Sequence, residues 1–259
     1  LMYGGTGSGS VDTSKAPNLK QALEAQGITI NQTLWDLYSS DSMMSKYSRM
    51  TPASISDTLE ANTQYAVNEA PWSALSSAES SFAEYGDAAI VTLSRVGGEG
   101  ADLAYGDVNY LALDENEKAM LQNVAEMKKN GIVKKTIVLI NSANALQVDF
   151  LKNNEYDIDA ALWIGDVGIS GINAVAEILT GKVNPSGSLV DTYCYDNFSA
   201  PAMWNFTPTT YEGYVEGGDV PAKSKSYMIY QEGIYVGYKY YETRYEDFVT
   251  GSGNAGDYA

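Results

Sequence analysis

Histidine is absent from all 259 residues, which removes together the usual neutral-pH general base, the Ser-His-Asp triad and the commonest transition-metal ligand. Acid–base chemistry in this chain therefore falls to carboxylates, Tyr or Lys. A single cysteine, Cys194, excludes an internal disulfide and any multi-cysteine zinc or iron–sulfur site. With no histidine to activate it, Cys194 reads as a small, buried or semi-buried side chain rather than a nucleophile. Positive charge is scarce: 16 Lys and Arg stand against 33 Asp and Glu, a net charge of −17. Such a field repels polyphosphate and anionic lipid, so nucleic acid and membrane surfaces are not expected partners. No apolar run approaches the ~20 residues needed to cross a bilayer, and no basic segment leading into an apolar one opens the chain. The sequence starts at Leu1 and runs straight into glycines, so it reads as a piece of a longer polypeptide, and the lack of a targeting signal in it decides nothing about location.

What is present is 44% hydrophobic residues, enough for one globular domain over residues 1–259 and too many for disorder or a coiled coil. Leu1-Met2-Tyr3 looks like the tail of a strand, and Tyr3-Gly4-Gly5-Thr6-Gly7-Ser8-Gly9-Ser10 is a glycine-rich loop. Leu19, Ala22 and Leu23 before Gly27 mark a helix, and Asn31 can cap a second one carrying Leu34, Leu37 and Tyr38. Residues 39–70 are polar and weakly periodic, mostly loop with short helical pieces. Trp72, Leu75 and Phe82 suggest a helix ending at Gly86. Three apolar runs of buried-strand type follow: Ala88 to Leu93, Thr136 to Ile140, and Ala160 to Ile164. Between the first two, Asp114 and Glu117 form a capping box that opens a helix through Leu121 and Val124 to Gly131. Ile172, Val175, Ala176 and Leu179 share one helical face before Gly181. Strand–helix alternation predicts an α/β fold with a mostly parallel sheet sandwiched by helices. Residues 193–226 read as a long aromatic-rich loop, and Gly233 to Tyr241 alternates like an added C-terminal edge strand. Trp35, Trp72, Trp163 and Trp204 are assigned to core packing.

Two segments invite chemistry. The N-terminal glycine loop could cradle phosphate at a helix N-terminus, but a P-loop needs Gly-Lys-Ser/Thr and the first lysine here is Lys15. A plain flexible turn and a loop whose backbone approaches a polar ligand both remain open. The second segment, Ser94-Arg95-Val96-Gly97-Gly98-Glu99-Gly100-Ala101-Asp102, directly follows a strand. In open parallel sheets ligands bind where such loops leave the carboxyl ends of the strands. Glycines on both sides of Glu99 free the backbone to lift that carboxylate into a cleft. The plainer reading is an exposed acid paired with Arg95, worth ~0–1 kcal/mol. Asp102, Asp107 and Asp114 lack the spacing of a calcium loop, so no metal is assigned. Tyr3 and Tyr105 are possible stacking platforms, but among 20 tyrosines packing explains an arbitrary one as well.

The run Asp87-Ala88-Ala89-Ile90-Val91 into Ser94 to Asp102, then Leu113-Asp114-Glu115-Asn116-Glu117, resembles the acid/base segment of glycoside hydrolase family 3. So do Leu139-Ile140-Asn141-Ser142-Ala143-Asn144, Ala161-Leu162-Trp163-Ile164-Gly165, Gly171-Ile172-Asn173-Ala174, Val183-Asn184-Pro185-Ser186-Gly187 and Glu232 to Tyr241. The resemblance runs in family order along most of the chain and is to the family's α/β-sandwich domain. It implies a β-glucosidase-like retaining glycosidase that releases non-reducing-end sugars from oligosaccharides or other glycosides. In that family a (β/α)8 barrel supplies the aspartate nucleophile and the sandwich lends a glutamate acid/base. Nothing here resembles the barrel, so the barrel of the same polypeptide is an implied partner and this piece alone is expected to be inactive. By the same resemblance Glu99 is the acid/base, Arg95 and Asp102 organise its loop or touch leaving-group hydroxyls, and Gly5, Thr6, Gly7 and Ser8 face the sugar. No cofactor is implied. A non-catalytic carbohydrate-binding or scaffolding module that kept the fold is the alternative. The acidic, serine- and tyrosine-rich, lysine-poor composition leans towards an extracytoplasmic bacterial protein.

Overall fold

The computed structural model describes residues 1–5, 9–47, 67–95, 103, 109–204, 209–215, 218 and 225–253. The chain divides into two compact units, Leu1–Ser188 and Leu189–Ala259.

The first unit is built on three parallel strands in the order β1 (Ala89–Arg95), β2 (Thr136–Ser142), β3 (Ala160–Trp163). Register is continuous from Ala89 opposite Thr136 to Arg95 opposite Ser142, and from Ile137 opposite Ala160 to Ile140 opposite Trp163. Consecutive side chains of a strand point to opposite faces, and Val138, Leu139 and Ile140 are all buried. Both faces of β2 are therefore covered, which is why its sequence is an unbroken apolar run rather than an alternating one. The third strand departs from the expected burial. It pairs with β2 alone among the described residues, and Ala160, Ala161 and Trp163 are exposed.

Helices cover the sheet where the sequence places them. α1 (Leu19–Glu24) has a capping box between Asn18 and Gln21, and Asn31 caps α2 (Gln32–Tyr38), which is followed by α3 (Asp41–Tyr47). α4 (Glu115–Lys129) lies between β1 and β2 in sequence and packs on both. α5 (Gly171–Leu179) follows β3 and buries Ile172, Val175 and Ala176 against Ala22 and Leu23 of α1 and Leu139 of β2. Asp159, just ahead of β3, accepts hydrogen bonds from Lys128 Nζ at 2.6 Å, Lys135 Nζ at 2.7 Å and the Thr136 amide at 2.8 Å. These bonds, led by that from Lys128, hold its carboxyl well below the usual carboxylate range and fasten the end of α4 to the sheet.

The helix expected through Trp72 and Phe82 forms instead as two 3-10 stretches, Trp72–Leu75 and Glu79–Tyr85. Serines here compete with the helix ladder for backbone groups: Ser81 Oγ donates to the Ala78 carbonyl at 2.6 Å. The tighter stretches still bury Leu75, Ala78 and Phe82 in a second cluster with Met43 and Ala70. Gly86 ends this segment, and a Cβ there would sit 2.1 Å from the Ile132 carbonyl oxygen. Only glycine allows that approach, which lets the Lys134 amide reach the Gly86 carbonyl at 2.8 Å and bring β2 alongside β1.

The second unit holds a 3-10 turn (Asn197–Ser199), α6 (Pro201–Trp204), a short antiparallel pair of β4 (Thr209–Thr210) with β5 (Ser226–Tyr227), and α7 (Tyr238–Thr250). The expected C-terminal edge strand is absent. Residues 233–237 are turn and coil, and from Tyr238 the chain is helical. Over a short aromatic-rich run the two periods are easily confused, whereas Tyr238, Tyr241, Tyr245 and Phe248 fall at helical spacing once the window extends past Tyr241. The tryptophan assignment also needs correction. Trp72 packs edge-to-face on Phe82 with ring centroids 6.0 Å apart, but Trp163 and Trp204 are 36% and 72% exposed. Each indole N–H instead finds a carbonyl, that of Ser142 and that of Phe198, both at 2.8 Å.

Candidate functional site

The carboxyl edge of the sheet is organised by one buried side chain. Asn141, near the end of β2, accepts hydrogen bonds on Oδ1 from the Met2 amide and from Ser94 Oγ, the latter at 2.9 Å. Its Nδ2 donates to the Met2 carbonyl at 3.0 Å and the Gly165 carbonyl at 2.6 Å. The N-terminal segment, the end of β1 and the turn after β3 are thus tied to one amide. The Gly168 amide bonds the Tyr3 carbonyl at 2.7 Å and extends the link.

From that anchor the glycine-rich segment departs. Tyr3 Oη donates to the Pro17 carbonyl at 2.9 Å and closes the base of residues 4–16. Burial pushes the Tyr3 phenol up, and its hydroxyl is engaged within the protein. Gly4 is a close-approach glycine: a Cβ there would meet the Gly9 carbonyl oxygen at 2.9 Å. Gly5 is half-buried with open space where a Cβ would point. Thr6, Gly7 and Ser8 lie outside the described residues.

Arg95, the last residue of β1, is 1% exposed. Its Nη1 and Nη2 grip Glu117 Oε1 and Oε2 at 2.6 and 2.7 Å. The remaining donors go to carbonyls: Nε to Tyr110 at 2.6 Å, Nη1 to Ser94 at 3.0 Å and Nη2 to Ala112 at 2.8 Å. All five N–H groups are used within the protein, so none is left for a sugar hydroxyl. The substrate contact expected of Arg95 gives way to an anchoring arrangement, and its ionic partner among the described residues is Glu117. Glu99 and Asp102 lie outside the described residues, as do Tyr105 and Asp107, while Asp114 is the N-cap of α4.

One ionisable group in this region has no signal in the sequence. Glu69 sits in the stretch read as polar loop, yet it is half-buried. Its Oε1 accepts from the Ala70 amide at 2.9 Å and lies 3.4 Å from Tyr38 Oη, while its carbonyl accepts from Asn116 Nδ2 at 2.9 Å. Burial, opposed by the Ala70 hydrogen bond and reinforced by the charges of Glu117 and Asp114, raises its carboxyl to about 7. Tyr38 is raised too, by burial and by the Glu69 charge. The folded state holds a proton on Glu69 that the unfolded chain releases near its ordinary 4.5. Stability from this group is therefore complete below that value and is lost as pH rises through about 7. Glu69→Gln, which stays neutral, is expected to remove a decline on the order of 3 kcal/mol across that window. Denaturant titrations of both proteins at several pH values check this, and parallel stability curves would refute it.

The described part of this region is the carboxyl edge of a parallel α/β sheet, to which Asn141 ties the N-terminal segment and the turn after β3. The Glycosyl hydrolase family 3 C-terminal domain matches the chain over residues 2–238. The chain belongs to that family. Similar proteins include a beta-glucosidase of Ruminococcus albus, 31% identical over 167 residues, covering 64% of this chain and 15% of that protein. Beta-glucosidase A of Butyrivibrio fibrisolvens is 34% identical over 177 residues, covering 62% of this chain and 19% of its own length. Among solved structures, a beta-glucosidase from Paenibacillus barengoltzii superposes with a TM-score of 0.68 at 25% identity, covering 93% of this chain and 23% of that one. The chain thus spans less than a quarter of the length of these relatives. No helix among the described residues is long and apolar enough to cross a membrane.

Proposed function

We propose that this chain is the α/β-sandwich part of a retaining β-glycosidase, acting on glycosides such as non-reducing-end oligosaccharides, with Glu99 as its general acid/base. The observation that carries this reading is positional. The Gly97-Gly98-Glu99-Gly100 segment begins two residues after Arg95 in sequence, and Arg95 ends β1 at the sheet edge to which Asn141 ties the N-terminal segment and the turn after β3. Ligands of open parallel sheets bind at that edge, and the similar proteins are beta-glucosidases.

Retaining glycosidases hold two carboxyls ~5–5.5 Å apart, one attacking the anomeric carbon while the other protonates the leaving oxygen and later activates water. Glu99 serves as the second group. The attacking aspartate comes from a barrel domain of the same polypeptide, and closure between the two domains supplies the desolvation that raises the pKa of an acid catalyst. Asp102 lies close to Glu99 in sequence and helps to shape its loop, and residues 5–8 face the sugar. On this reading the longer polypeptide hydrolyses aryl β-glycosides with retention of anomeric configuration, followed by NMR of the first-formed sugar, while residues 1–259 alone do not. Inverted product, or no turnover across a panel of aryl glycosides, would exclude it; sugar binding without turnover would point to a non-catalytic module.

A further inference from the structure

Arg95 closes a long stretch of chain. From the end of β1 its side chain reaches carbonyls at Tyr110 and Ala112, 15 and 17 positions further on, and a carboxylate at Glu117, 22 positions on. Glu117 Oε2 also accepts from the Asp114 amide at 2.9 Å, completing the N-terminal cap of α4. One guanidinium and one carboxylate therefore join the last residue of β1, the 110–112 turn and the first turn of α4. The intervening sequence from Val96 to Asn109 carries Glu99.

Both charges are removed from water, with side-chain exposures of 0% and 3%. Replacing a buried ion pair with well-packed apolar side chains is often neutral or stabilising, so fold stability alone gives little reason for one here. Apolar side chains cannot, however, donate to three carbonyls in two separate segments and thereby set where those segments stand. The planar five-donor fork of arginine does this, and lysine, with three donors radiating from one point, does not. Catalytic groups misplaced by ~1 Å lose on the order of 10²-fold in rate.

We infer that Arg95 and Glu117 are positioning residues for proton transfer, fixing both ends of the segment that carries Glu99. This rests on the acid/base reading above. The test uses the full-length glycosidase with Arg95→Lys and Glu117→Gln, assayed on a dinitrophenyl glycoside and on an alkyl glycoside of the same sugar. The dinitrophenolate leaves unaided, whereas the alkoxide needs the proton. We expect kcat/KM on the alkyl glycoside to fall roughly 10- to 100-fold while the dinitrophenyl substrate stays within about threefold. The ratio of the two is independent of how much protein folds, so it is readable on the active fraction even if Arg95→Lys folds poorly, and Glu117→Gln provides a near-isosteric second measurement. Equal losses on both substrates, or no loss, would overturn the inference. Glu99→Ala in the same assay separates the two claims: if it too lacks leaving-group dependence, the acid/base reading fails; if it alone shows it, only the positioning role fails.

Discussion

Glu99→Ala in the full-length enzyme is expected to slow hydrolysis of glycosides with poor leaving groups by roughly 10²–10⁴-fold, the usual contribution of a positioned general acid. In the same variant the nucleophile should still attack the anomeric carbon when the leaving group needs no proton, so aryl glycosides with acidic phenols form the glycosyl-enzyme at a rate close to normal. Its second step then becomes limiting, because the group that activates water is missing. Azide needs no general base, and adding it should restore turnover and divert the sugar to a glycosyl azide of retained configuration. Steady-state kinetics across a series of leaving groups, with and without azide, test each part. Unchanged turnover on natural glycosides would remove Glu99 from the mechanism.

Glu117→Ala is expected to cost about 3–5 kcal/mol of stability, because it leaves the Arg95 guanidinium buried without its counter-ion. It also strips the reciprocal half of the α4 cap, since the Asp114 amide loses its acceptor. For a domain of this size the midpoint should drop by roughly 10 °C. Arg95→Met combined with Glu117→Leu should lie much nearer the parent protein, since no lone charge remains. Calorimetry on the three proteins decides. A single-variant loss below about 1 kcal/mol would mean that the pair behaves as a solvated one.

The fold was readable wherever local chemistry and burial agree. The Asp114 and Glu117 capping box, the Asn31 cap and the three strand runs all stand where residue pattern put them, because each signal lies within a few positions of its effect. What escaped depends on partners distant in sequence. Nothing at Arg95 announces Glu117, 22 positions away, and the apposition of Asn141 with Met2 spans 139. Glu69 is unreadable for the same reason: its raised carboxyl comes from the burial and charges that the α4 terminus brings to an otherwise polar stretch. The helix in place of the strand at Tyr238–Thr250 is a different failure, an alternation of aromatic residues counted over too short a window.

Asn141 carries one more implication, for which sequence changes the domain can absorb. Its carboxamide presents opposite polarities at its two ends, an oxygen towards the Met2 amide and the Ser94 hydroxyl and a nitrogen towards the Met2 and Gly165 carbonyls. Aspartate, nearly the same in shape, would turn a second oxygen on those two carbonyls and set like poles face to face in a dry interior. Hydrolysis of that single amide during ageing of the protein would therefore unfasten the N-terminal segment without altering the outline of any side chain.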